Sequence, residues 1–286
     1  SNPEYFVTVY KSRSQRFIFI HSYGAITTEC RFLDANTPGS VPMLVAHRQH
    51  GIEYNVEDSG ERDFFILTNY RAQNFRVVRA PIDNPGYKNW QDIVPHNPSI
   101  YITHFDVFRD QIFLIERSQG LSKVRSVFPK TGKESYLKLP ESNCSIEPYV
   151  NSNFETNEYL MNFCSYITPP SVISYHFADQ QIKVLKTKEI PSYNKDKYIS
   201  ERVFAISHDG EKVPLTLVYN KGLTKNGENP CYLYGYGSYS LNLDPDFRST
   251  IFSLVDRGFV VAFANIRGGS EMGRQWYENG KLLNKR

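Results

Sequence analysis

Short runs of apolar and β-branched residues, broken by turn residues, organise the first two thirds of the chain, and they come in groups of four. The first group comprises Phe6 to Tyr10, Arg16 to His21, Thr27 to Leu33 and Met43 to His47. The second comprises Ile52 to Glu57, Asp63 to Thr68, Phe75 to Ala80 and Trp90 to Val94. Two more groups begin near Tyr101 and near Cys144, and end with Glu134 to Leu139 and Gln181 to Lys186. Gly, Pro, Asn and Asp gather where a backbone must reverse, and here they give the period. Turns starting at Asp34, Pro81, Pro129 and Ala178 lie about 47 to 49 residues apart. Four strands at that period is the pattern of a β-propeller blade. Equal spacing over four groups favours it over a β-sandwich, the alternative for many short strands. The run Ile112 to Ile115 is apolar throughout, as expected of a strand covered on both faces; Phe75 to Arg79 is mixed, as expected nearer a rim.

The pattern changes near Lys188. A polar, turn-prone stretch to Lys197 reads as a linker, and two strands follow, Ser200 to Ile206 and Lys212 to Tyr219, joined by a reversal at His208-Asp209-Gly210. Next comes the apolar strand Cys231 to Tyr234, running into Gly235-Tyr236-Gly237-Ser238-Tyr239. A helix is predicted from Asp244 as cap and Pro245 in the first turn, with Phe247, Ile251, Leu254 and Val255 on one face and Gly258 as its end. The continuous apolar run Phe259 to Ala264 completes a strand, helix, strand unit and implies a parallel sheet. All-β followed by α/β argues for two domains, a count that 286 residues accommodate.

Composition removes function classes rather than adding one. Apolar residues at 40% and charged residues at 22% are ordinary for a globular protein. The 20 Tyr and 19 Phe reinforce the β-rich reading. The net charge of +3 arises from 33 basic and 30 acidic residues with no run of five like charges, so no nucleic-acid partner is indicated. No stretch approaches the length of an apolar membrane span, and Ser1-Asn2-Pro3-Glu4 is not a signal peptide, which makes the cytoplasm the default. Cys30, Cys144, Cys164 and Cys231 lie in apolar strand-like runs without a CxxC pair and read as buried free thiols. The seven histidines form no metal-ligating spacing, so neither metal nor cofactor is expected.

Three motifs bear on chemistry. The G-x-S-x-G elbow that exposes a nucleophilic serine is absent; in Gly268-Gly269-Ser270-Glu271-Met272, Met272 stands in place of the second Gly, so Ser270 reads as a loop serine. His208 beside Asp209 reads as part of a turn. Gly235-Tyr236-Gly237-Ser238-Tyr239-Ser240 begins like a dinucleotide-binding turn but lacks the third Gly, and Tyr236 and Tyr239 crowd the place a pyrophosphate would occupy.

The segments Leu233-Tyr234-Gly235-Tyr236-Gly237-Ser238-Tyr239 and Ala264-Asn265-Ile266-Arg267-Gly268-Gly269-Ser270-Glu271 resemble the prolyl oligopeptidase family of serine peptidases, with oligopeptidase B the nearest in pattern. Further matches lie at Tyr198 to Arg202, Asp209 to Pro214, Leu254 to Phe259, Trp276 to Lys281 and, in the first half, His50 to Tyr54, Leu67 to Asn69 and Asn74 to Arg76. The resemblance implies about four blades of a seven-bladed β-propeller plus part of an α/β-hydrolase domain. The corresponding boundaries are a partial propeller over 1–190, a linker over 191–199 and the opening of the catalytic domain over 200–286. It also implies that about three blades and a hydrolase segment precede Ser1, that the catalytic Ser, Asp and His follow Arg286, and that the fragment is inactive by itself.

The implied activity is hydrolysis of short peptides after Arg or Lys through an acyl-enzyme. The implied partners are those peptides and the remaining parts of the same polypeptide. By position in the family motif, Tyr236 supplies a hydroxyl to the oxyanion hole; a phenol stays protonated near neutral pH and can donate to the developing charge. The alternative for Tyr236 is a buried tyrosine bonded to backbone. Tyr239 matches the family's aromatic lining beside the scissile bond, and Arg267 is expected to brace loops. Ser240 and Ser270 stand where Gly is frequent in the family. A non-catalytic propeller module binding peptide or protein is the second reading of the whole chain.

Overall fold

The computed structural model of the chain describes residues 4–285; Ser1 to Pro3, the start of the stretch read above for a signal peptide, and Arg286 lie outside the described residues. Four antiparallel meanders occupy the first part. The first holds β1 (Phe6–Lys11), β2 (Phe17–Tyr23), β3 (Thr28–Asp34) and β4 (Met43–Leu44). The second holds β5 (Tyr54–Asp58), β6 (Asp63–Thr68), β7 (Arg76–Pro81) and β8 (Gln91–Val94). The third holds β9 (Tyr101–Val107), β10 (Ile112–Ser118), β11 (Leu121–Val127) and β12 (Glu134–Tyr136), and the fourth β13 (Cys144–Pro148), β14 (Glu158–Ser165), β15 (Ser171–His176) and β16 (Ile182–Thr187). In each, neighbours in sequence are neighbours in the sheet. This is the blade pattern that the turn spacing predicts.

A fifth sheet has the order β17-β18-β20-β19, from β17 (Tyr198–Ile206), β18 (Lys212–Asn220), β19 (Cys231–Gly235) and β20 (Val260–Ala264). Here β19 and β20 run parallel, Tyr232 opposite Val261 and Gly235 opposite Ala264, while β18 meets β20 antiparallel. Strand β17 begins at Tyr198, two residues ahead of the predicted start.

The chain resolves into two compact units. One takes in the chain up to Glu116 with Val124–Tyr136 and Asn151–Thr156; the other takes in Arg117–Lys123, Leu137–Val150 and the chain from Asn157 onward.

Within the first unit, the unbroken apolar run of β6 has a direct cause. Phe64 and Ile66 pack with Phe17, Phe19 and Phe32 of the first blade, while Phe65 and Leu67 pack with Val107, Ile112 and Leu114 of the third. Alternate residues of a strand point to opposite faces, so a strand with a blade on either side has no solvent face, and Phe64 to Leu67 are apolar on both. Phe64 meets Phe32 and Phe17 edge to face at 4.8 and 5.3 Å, the arrangement that ring quadrupoles favour.

The same blades are tied by a cluster of titratable side chains in which Asp106 is buried and Arg13 and Glu57 are half-buried. From the β1–β2 turn, Arg13 donates to the Val107 carbonyl at 2.9 Å and pairs with Asp106, and its backbone N–H donates to Glu57 Oε2 at 3.4 Å. Burial nevertheless dominates at Glu57 and, against the opposing pull of Arg13, lifts its pKa from 4.5 to about 7.

In the second unit, Val218, Val255 and Val261 are fully buried in a cluster with Tyr166, Tyr198, Phe252 and Phe263, and Tyr166 stacks on Phe263 at 4.2 Å. The predicted helix is much shorter than expected: a 3-10 turn at Ser249–Ile251 leads into α1 (Phe252–Val255), and Gly258 ends it with φ 87°. Asp244 is not its cap. Both its oxygens accept from Arg117, each at 2.6 Å, and the backbone of Leu243 is bonded elsewhere, so the chain up to Arg248 is held out of helical geometry.

The thiol expectation also needs correction. All four cysteines are free, but only Cys30 and Cys144 are buried; Cys164 is half-buried, and Cys231, in the edge strand β19, is exposed. Tyr232 and Leu233 of that apolar strand are exposed as well.

Phe64→Ala is expected to destabilise the chain by about 3–5 kcal/mol, the usual cost of emptying a buried Phe site, as a fall in urea midpoint. Glu57 carries a pH signature. The folded state retains a proton that the unfolded state releases, so the contribution of Glu57 is most favourable below about 4.5 and declines as pH rises to about 7. Glu57→Gln should flatten that decline when unfolding free energies are compared at pH 5 and pH 8.

Candidate functional site

The candidate residues cluster beyond the ends of β19 and β20. Parallel pairing brings Gly235 level with Ala264, so the two strands release their following loops, 236–243 and 265–271, side by side. That is where an open α/β sheet places its ligands.

Tyr236, the first residue past β19, is 43% exposed, and its hydroxyl has no hydrogen-bond partner among the described residues. The buried, backbone-bonded tyrosine considered above is therefore not what the structure shows. Tyr239 is 81% exposed. The loop between is unusual: Gly237, Tyr239 and Ser240 all have left-handed backbone, with φ of 61°, 54° and 61°. For a bulky side chain this costs energy and persists only where surroundings impose it. Ser240, standing where Gly is frequent in the family, therefore holds a backbone conformation that Gly adopts without a Cβ penalty.

The neighbouring loop does the imposing. Gly268 has φ 101°, and a Cβ there would collide with the Gly237 carbonyl; a Cβ on Gly237 would lie 2.6 Å from the Arg267 carbonyl oxygen. The Ser240 N–H donates to the Gly268 carbonyl at 3.0 Å, and the hydroxyls of Ser240 and Ser270 are hydrogen-bonded. Ser270 is 1% exposed, with its N–H donating to Asn242 Oδ1 at 3.0 Å, so it serves the loop as the sequence reading expected.

His208 and Asp209 sit in the β17–β18 turn, with Gly210 at φ 85°. Arg267 pairs with Asp209 at 2.5 Å, bracing one loop against the other. The Ser207 hydroxyl and Arg267 hold the Asp209 carboxyl well below its ordinary pKa. Lys285 closes the arrangement by donating to the carbonyls of Gly237 and, at 2.8 Å, Arg267. Ser207, His208, Val213, Ile266, Arg267 and Lys285 line a cavity of about 200 Å³ beside these turns.

Sequence reasoning missed the polar groups beneath the loops. Asn265, 3% exposed, donates from Nδ2 to Glu271 Oε1 at 3.2 Å and to the Leu243 carbonyl at 3.1 Å. Its Oδ1 accepts from Arg202 at 2.7 Å, and Arg202 also reaches Thr216 and the Gly120 carbonyl. Arg202, Asn265 and Glu271 all lie in matched motif segments, but only the fold shows that they meet.

Two family models match the chain. One, described as "Prolyl oligopeptidase, N-terminal beta-propeller domain", matches residues 1–188; the other, "Prolyl oligopeptidase family", matches residues 245–286. The chain belongs to the prolyl oligopeptidase family. The four meanders are accordingly blades of the family's β-propeller, and the mixed sheet is part of its α/β-hydrolase domain.

Dipeptidyl aminopeptidase BI of Pseudoxanthomonas mexicana is 36% identical over 286 residues, covering 99% of this chain and 39% of that protein. Protease 2 of Moraxella lacunata is 35% identical, covering 96% of this chain and 39% of that protein. Among solved structures, oligopeptidase B from Trypanosoma brucei, with covalently bound antipain in a closed form, superposes with a TM-score of 0.90 at 30% identity. It covers 100% of this chain and 42% of that one. The chain thus spans well under half the length of these prolyl oligopeptidase relatives.

Gly268→Ala should misplace the tyrosine-bearing loop, since the new methyl must displace the Gly237 carbonyl in a left-handed backbone. A loss of at least about 2 kcal/mol in unfolding free energy, with faster amide exchange across 236–243, is the expected result.

Proposed function

We propose that this chain is part of a serine peptidase that hydrolyses short peptides after Arg or Lys. In this reading residues 1–190 are propeller, 191–199 are linker and 200–286 open the catalytic domain; the nucleophile and its Asp and His lie in sequence after Arg286. The observation that carries the reading is Tyr236: an exposed phenol without a structural partner, at the end of a parallel strand, in a chain of this family.

The chemistry follows from that placement. When a serine attacks a peptide carbonyl, negative charge collects on the carbonyl oxygen, and a donor already aimed at that oxygen stabilises the transition state more than the substrate. A hydroxyl engaged in a structural hydrogen bond would have to break it first; that of Tyr236 is open. Its loop is held by backbone and buried side chains, so little reorganisation accompanies the reaction.

Tyr239, more exposed still, is assigned to the substrate side chain lining, where an aromatic face adds apolar contact without a charge. Preference for Arg or Lys, which needs acidic groups around the entering side chain, rests on the similarity to the oligopeptidase B structures. The free thiols fit a cytoplasmic site of action, and no helix among the described residues is long and apolar enough to cross a membrane.

In the full-length enzyme, Tyr236→Phe is expected to lower kcat on an Arg-containing peptide by at least tenfold, within the range for loss of one oxyanion donor, while leaving the thermal midpoint unchanged. Unaltered turnover would remove the assigned role. A fluorophosphonate should label the full-length enzyme and leave the isolated 286-residue chain unlabelled; a full-length protein that resists labelling would favour the non-catalytic binding module instead.

A further inference from the structure

Resting on that reading of Tyr236, we propose that Glu271, together with Asn265, is a positioning residue that sets the loop carrying Tyr236 and Tyr239.

Loop 236–243 leaves an edge strand, includes three left-handed residues and has no regular structure of its own. Its shape must come from what it is bonded to, and segment 265–271 supplies most of those bonds. Glu271 Oε1 accepts from the Leu243 N–H at 2.8 Å, while Asn265 Nδ2 donates to the Leu243 carbonyl at 3.1 Å. Both backbone polar groups of one loop residue are therefore held by two side chains that also bond each other at 3.2 Å. Upstream, Ser240 is held by Gly268 and Ser270, and Asn242 by the Ser270 N–H.

Glu271 is a costly choice for this task. It is 2% exposed, and its Oε2 has no hydrogen-bond partner among the described residues. That oxygen lies on the same side of Gly269 as the Leu241 carbonyl, where any Cβ on Gly269 would collide with it. Burial accordingly raises the Glu271 pKa, opposed by the Leu243 N–H, its own N–H, Asn265 and the charge of Arg117. An apolar side chain of the same volume would avoid that cost but leave the Leu243 N–H without an acceptor and Asn265 Nδ2 with only the Leu243 carbonyl. Asn265 is itself fixed on three sides, by Arg202 at Oδ1, by Trp276 Nε1 at its carbonyl, and through its own N–H to the Pro214 carbonyl. The pair transmits the rigid sheet end to a loop that could not hold its geometry alone.

The test is a double-mutant cycle in the full-length enzyme. Glu271→Asp keeps the charge but withdraws the carboxylate by one methylene, and is expected to lower kcat about 10- to 100-fold with KM within threefold, the scale of loss for a misplaced catalytic group. Glu271→Gln keeps an acceptor at Oε1 and should restore kcat to within about threefold of the parent. In a Tyr236→Phe background, Glu271→Asp should cost less than about threefold, because residues acting as one unit are not additive.

An unchanged kcat in Glu271→Asp, or an equal loss with and without the Tyr236 hydroxyl, would overturn the positioning role while leaving the reading of Tyr236 intact. Full turnover in Tyr236→Phe alone would instead overturn the reading on which the proposal rests. If Glu271→Asp does not fold, the comparison of Glu271→Gln with Asn265→Ala decides: the first is expected active, the second reduced at least tenfold, and equal activity would overturn the proposal.

Discussion

Phe64 of the second blade inserts its ring among Phe17, Phe19 and Phe32 of the first, and that contact stands for the constraint on which the structure depends. A four-stranded meander has two faces and no interior; it can hide neither unless another sheet lies against it. The requirement explains the sequence of β6, apolar at every position from Phe64 to Leu67, and the alternation by which Phe64 and Ile66 serve one neighbour and Phe65 and Leu67 the other. It also explains why the exceptions are paired. Arg13, Glu57 and Asp106 are titratable groups withdrawn from solvent in the same region, and each finds a partner on another blade.

The site in the second unit answers a different problem. A parallel edge strand must end in a loop, and this loop presents two tyrosines outward, so it has no apolar side to bury. Its order comes instead from close backbone approach, made possible by Gly237 and Gly268, and from buried polar groups beneath it. Arg202, Asn265, Glu271 and Lys285 direct their hydrogen bonds to backbone, to one another and, for Arg202, to Thr216, and none of them engages the Tyr236 hydroxyl. Rigidity below and availability above are complementary requirements of the oxyanion role proposed for Tyr236.

The shortened helix belongs to the same logic. Helix start signals at Asp244 and Pro245 are sound local chemistry, but Asp244 is taken by a bidentate Arg117 and Leu243 is tied at both backbone groups. Long-range bonds therefore outweigh a capping preference worth about 1 kcal/mol. Only the downstream face, Ile251, Phe252 and Val255, becomes helical and buried.

Much of the fold was legible in the sequence because its cause is local and repeated. Turn residues at a period of about 47 to 49 mark the blades, apolar runs mark strands covered on both sides, and Cys231 to Ala264 marks a parallel pair. The identity of Tyr236 as the residue of interest came from motif and residue type. What sequence could not decide was exposure and partnership. Cys231 and Leu233 look like core residues until the strand order places them at an edge, and Glu271 looks like an ordinary loop acid until the fold buries it against Asn265. The physical reason is that periodicity reports which face a residue lies on, whereas burial and hydrogen bonding depend on what tertiary structure brings to that face.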